Sequence, residues 1–80
     1  MDNDLALLIL SSCTQCTRDL EDVLHLVKAH AQPEDYEHLK LAIGKSIHQI
    51  MFDIEDYVGV RCPGVRAELE ARVKKFGRAF

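Results

Sequence analysis

The sequence lacks Trp altogether and has only three Phe and two Tyr in 80 residues, so any core it builds is aliphatic. It also lacks a long apolar run. The longest, Leu5-Ala6-Leu7-Leu8-Ile9-Leu10, follows Asp2 and Asp4. That is far short of the roughly 18–20 apolar residues needed to span a bilayer. A secretory leader would place basic residues before a longer apolar stretch. Leu10-Ser11-Ser12-Cys13 imitates a lipoprotein cleavage box, but the acidic start and short run argue against lipidation. Three cysteines are an odd number and too few for a disulfide framework. The expectation is a soluble, cytoplasmic protein with free thiols and no membrane partner.

Eighty residues make one domain, 1–80, with no room for a nucleotide-binding sheet, a barrel or a large enzyme cleft. With 48% apolar and 29% charged residues the chain is too apolar for disorder. Its charge is unevenly placed. Residues 1–60 hold four basic and eleven acidic side chains, a net of −7, whereas the last twenty hold six basic and two acidic, a net of +4.

The periodicity is helical throughout. From about residue 4 to 30, Ala6, Ile9, Cys13, Cys16, Leu20, Val23 and Val27 recur at alternating steps of three and four. Asp2 or Asn3 can cap the start, and Pro33 suits the first position of a new helix. A second helix, about 33–58, presents Tyr36, Leu39, Ile43, Ile47, Ile50, Ile54 and Tyr57, with Gly59 placed to end it. Two helices of similar length joined by Ala31 and Gln32 predict an antiparallel hairpin. After Cys62-Pro63-Gly64 a shorter helix, about 63–76, carries Val65, Leu69, Val73 and Phe76. Glu68/Arg72 and Glu70/Lys74 are favourable i,i+4 pairs on it.

The fold class is therefore all-α. The hairpin has more apolar surface than one seam consumes. Leu5, Leu7, Leu8, Leu10, Leu24 and Leu26 on the first helix and Leu41, Ala42, Met51, Phe52 and Val58 on the second lie outside the stripes. Burying six such side chains at about 1.5–3 kcal/mol each contributes on the order of 10 kcal/mol before entropic costs. Dimerisation of the hairpin into a four-helix bundle is the expected solution.

Few residues suggest chemistry. Cys13 and Cys16 form a CxxC, yet it sits mid-helix at stripe positions. A redox pair is expected at a helix start after a strand, and a zinc site needs four ligands. Buried thiols commonly act as small hydrophobes. His25, His30, His38 and His48 give no pair of Glu-x-x-His motifs; the nearest match, Asp22-Val23-Leu24-His25, lies on the polar side. No phosphate loop or nucleophile elbow is present. Arg66, Arg72, Lys74, Lys75 and Arg78 could neutralise nucleic-acid phosphates, but the acidic whole and the scarce neighbouring aromatics, Phe76 and Phe80, argue for protein docking instead.

The sequence thus predicts a non-catalytic interaction or regulatory module without cofactors, its partners being itself and another protein. The expected anchors are Leu5, Leu8, Leu41, Met51 and Phe52 on the hairpin and Val65, Leu69, Val73 and Phe76 on the last helix. The alternatives are a metal- or thiol-dependent sensor using Cys13, Cys16 and Cys62, or weak nucleic-acid binding by the basic C-terminal helix.

Overall fold

The computed structural model describes residues 1–77, all of them helical or in short connections. Helix α1 spans Asn3–His30. Its N-cap is Asp2, whose Oδ1 accepts from the Asp4 and Leu5 backbone N–H groups at 2.6 and 3.4 Å. Lys28 and His30 occupy its last turn, where the helix dipole favours cations. Helix α2, Pro33–Gln49, begins at the proline as expected, with Glu34 and Asp35 in its acidic first turn.

The second helix then departs from the sequence reading. Ile50–Glu55 form a π-helical segment, followed by α3, Asp56–Arg61. Together the three make one long, bent helix, a second rod. The Asp56 backbone N–H donates to the Met51 carbonyl, five residues back. A π turn holds one residue more than an α turn, so every later side chain changes phase. Ile54 and Tyr57, expected on the inner stripe, are exposed, and Val58 and Cys62 are buried in their place. Nor does Gly59 end the helix. Its cost inside a helix, about 1 kcal/mol against Ala, is outweighed by the burial of Val58 before it and Cys62 after it.

Cys62 ends the rod, and Gly64, at φ +93°, turns the chain into α4, Val65–Phe76. Gly77, at φ +75°, closes α4 by donating its N–H to the Val73 carbonyl at 2.8 Å. Arg78 and Phe80 lie outside the described residues.

Helix α1 is the element the others share. It packs against α2, the π segment, α3 and α4. The main hydrophobic cluster joins Ala6, Leu7 and Leu10 of α1 to Val58, Cys62, Val65 and Leu69, with Ile9 and Val73 at its edge. Large apolar groups are thus concentrated where the start of α1, the end of the second rod and α4 meet. Toward the other end of the rods, burial thins to Ile43 and half-buried side chains.

The inner row of α1 is also not the one the spacing suggested. Ala6, Leu10, Cys13, Thr17, Leu20, Leu24, Val27 and Ala31 are all buried or half-buried, whereas Cys16 and Val23 are exposed. Two apolar heptad rows lie side by side on this helix, sharing Ala6, Cys13, Leu20 and Val27. Contacts with the second rod select the row containing Leu10 and Leu24.

Candidate interaction surface

Exposure, rather than a cleft, is the most unusual property of this molecule. Among the described residues thirteen large hydrophobic side chains are exposed, against six fully buried, Leu7, Leu10, Ile43, Val58, Val65 and Leu69. Isolated exposed apolar residues are ordinary; twice as many large ones exposed as fully buried is not. The surface area is 5899 Å², where a monomeric chain of 9.1 kDa is expected to expose about 4,900 Å². The radius of gyration, 14.7 Å, likewise exceeds the roughly 11.6 Å of a compact 80-residue domain.

The anchors expected from sequence divide into two groups. Leu5 (51%), Leu8 (62%), Leu41 (65%), Met51 (43%), Phe52 (53%) and Phe76 (64%) are exposed. Val65 (2%) and Leu69 (7%) are not available: α4 lies on its own chain, and both side chains belong to the hydrophobic cluster. Their removal from the docking set is a correction. Val73, half-buried against the same cluster, goes with them. The amphipathic stripe of α4 was legible, but the surface it covers is decided by the turn at Pro63-Gly64.

Leu26, surplus in the sequence, is exposed as well, and so are residues that sequence reasoning missed, Val23, Leu39, Ile54, Tyr57 and Val60. Val23 was assigned to the wrong one of two adjacent rows, and the π turn rotates Ile54 and Tyr57 outward. Several exposed aromatics have partners on their own helix. The Arg61 guanidinium lies 3.5 Å from the centroid of the Tyr57 ring, the His48 ring lies 4.3 Å from Phe52 at a tilt of 45°, and the Lys75 ammonium sits 5.1 Å from Phe76. Such local contacts partly shield the rings. The bare part of the surface is chiefly aliphatic.

On α1 the uncovered residues have a definite side. Leu7 and Leu10 share the hydrophobic cluster with Val65 and Leu69 of α4, and Thr14 and Arg18 line the groove beside that helix. At about 100° per residue, Leu5, Cys16 and Val23 fall on the opposite flank, roughly a quarter-turn from the inner row. All three are exposed.

A groove of about 380 Å³ lies between α1, the π segment and α4. Leu10, Leu69 and Val73 make its floor, and Arg18, Glu55 and Lys74 contribute charges of both signs to its rim. Arg66, also at this rim, lies 3.5 Å from Asp56, and Arg72 donates to Glu68 at 3.1 Å. Two of the basic residues considered for nucleic acid are therefore engaged with carboxylates.

The cysteines differ in exposure. Cys13 and Cys62 are buried and Cys16 is exposed, so the CxxC does not lie wholly in the core as expected. Burial, then the negative charge of Glu55, then Cys16 push the Cys13 thiol above its ordinary range. That is opposite to the activation a reactive thiol needs. Among the described residues no three His, Cys, Asp or Glu side chains gather closely enough to hold a metal ion, and no helix is long and apolar enough to cross a membrane.

No protein-family model, curated protein or solved structure matches the chain.

Proposed function

We propose that the chain is a non-catalytic protein-binding module whose antiparallel helical hairpin pairs with a second copy to form a four-helix bundle, leaving an outer apolar face for another protein. The observation that carries this reading is the excess of exposed aliphatic side chains over buried ones. The surface beyond that of a compact monomer, about 1,000 Å², is close to the roughly 800 Å² each partner contributes to a standard interface.

The distribution of those residues supports the bundle. In an antiparallel hairpin the open flank of α1 adjoins the flank of the second rod that carries Leu39, Ala42 and Ile54. The two make one face, on the side away from α4. Pairing of two such faces gives the four-helix arrangement, with left-over apolar surface removed from water. Leu41, Phe52 and Val60 fall on the outer side of the second rod, distant from that face. They are the best candidates to receive a partner's apolar helix face.

Light scattering tests the reading directly. The expected mass is about twice the 9.1 kDa of one chain, with no shift toward monomer when the salt concentration is raised. A monomer at micromolar concentration overturns it.

A further inference from the structure

We propose that the second copy lies antiparallel on the open flank of α1, with the two-fold axis passing beside Cys16, so that the two Cys16 thiols face each other. This rests on the self-association proposed above and adds its register.

A two-fold interface uses one patch twice, so residue i meets j and j meets i. Where antiparallel helices pair across such an axis, the row in contact must read alike in both directions from its centre. The flank row of α1, exposed at every position but the half-buried Ile9, does so. Leu5, Ile9, Ser12, Cys16, Asp19, Val23 and Leu26 follow one another at steps of 4, 3, 4, 3, 4 and 3. Ile9 and Val23 stand seven residues on either side of Cys16, and Leu5 and Leu26 stand eleven and ten away. Superposed on its own reverse, the row brings Ile9 to Val23 and Leu5 to Leu26. Asp19 meets Ser12 of the second copy rather than the other Asp19, which avoids like charges in contact.

The second rod carries the same symmetry at the same height. The Cys62 thiol donates to the Met1 carbonyl at 3.4 Å, which sets the level of the two rods. Counted from that contact, Cys16 stands level with Ser46 and Ile47. About Ser46, Ala42 and Ile50 lie four residues to either side, while Leu39 and Ile54 lie seven and eight away. The π segment contributes here. It turns Ile54 out of the inner row toward the flank where Leu39 of the second copy would meet it. The combined face has small side chains at its waist, Ser12, Cys16, Ala42 and Ser46, and large ones toward its ends. That shape lets two copies approach closely at the centre and interlock beyond it.

The test is oxidative cross-linking of the full chain, with oxidised copper–phenanthroline taking two electrons from a pair of thiols and two protons passing to solvent. Cys13 and Cys62 are buried, so a disulfide dimer should form through Cys16. Cys16→Ser should abolish it, and Cys13→Ser or Cys62→Ser should leave it intact. As a control for chance collisions, Asp22→Cys in a Cys16→Ser background places the thiol off the row. Facing thiols react at an effective concentration near millimolar, so wild type should cross-link on the order of tenfold faster than that control at micromolar protein. A dimer by light scattering that cross-links no faster than the control overturns the register while leaving self-association standing. A monomer overturns both.

Discussion

The Cys62 thiol reaches back across sixty-one positions of sequence to donate a hydrogen bond to the Met1 carbonyl. Start and end of the two-rod unit are joined at that point, beside the cluster that contains Leu10 and Val65, the most completely buried large side chains. Leu10→Ala removes contacts with the second rod and α4 at once. Its expected cost is about 2–5 kcal/mol, a large share of the 5–15 kcal/mol typical of a domain. Urea unfolding followed by circular dichroism would register this as a lower midpoint; an unchanged midpoint would place the stabilising core elsewhere.

Cys13 gives the stability a pH dependence of known sign. Its thiol is raised above the ordinary value of 9.0 in the fold, chiefly by burial and next by Glu55. The fold therefore favours the neutral form. Its contribution is complete below the ordinary pKa and declines as pH rises from there through the raised value, because the unfolded chain then releases a proton that the folded one holds. Wild type should lose more thermal stability than Cys13→Ala across that window. In alkylation at mildly alkaline pH, Cys16 should be modified well before Cys13.

The π segment behaves as a one-residue insertion. Deleting Asp53, which is exposed, would restore α-helical spacing and still leave Glu55, Val58 and Cys62 four, seven and eleven positions beyond Ile50. The expected result is unchanged helicity and a melting temperature equal to or above that of wild type. A strong loss of stability would mean that the wide turn is itself required by the packing around it.

Thr17 lies in the inner row of α1 with its Oγ1 buried and without a hydrogen-bond partner. An unsatisfied buried hydroxyl costs about 1–3 kcal/mol. Thr17→Val keeps the shape and the β-branch, so it should stabilise by about 1 kcal/mol, or roughly 4–8 °C in a chain of this size. A fall in melting temperature would show that the hydroxyl has a partner after all.

Two glycines should respond in opposite directions. No atom stands within 4 Å of a Cβ built on Gly44, which lies inside α2. Gly44→Ala should stabilise by about 0.5–1 kcal/mol through the unfolded chain's lost freedom. Gly64 has similar space but holds φ +93°. Gly64→Ala should cost about 1–2 kcal/mol because a side chain disfavours left-handed backbone. Thermal melts of the two variants separate helix propensity from backbone conformation.

Much of the local structure was legible. Asp2, Pro33 and Gly77 mark boundaries through interactions made within a few residues, so the caps and the ends of α1 and α4 could be read directly. The row of α1 that faces inward could not. Leu10 and Leu24 compete with Ile9, Cys16 and Val23 on adjacent stripes of similar hydrophobicity, and periodicity alone does not choose between neighbours. The anchors failed in the same way at Val65 and Leu69, whose apolar spacing says that they are covered but not by what.

Residue type and short-range spacing suffice to show that this protein is helical, that its chain turns at Ala31-Gln32 and at Pro63-Gly64, and that its aliphatic content exceeds what one seam can hide. Tertiary structure alone decided which stripe each helix turns inward, how the π turn rephases the second rod, and which flank α4 covers. Those choices depend on contacts between distant residues, such as Met1 with Cys62 and Leu10 with Leu69, whose energies no local pattern contains.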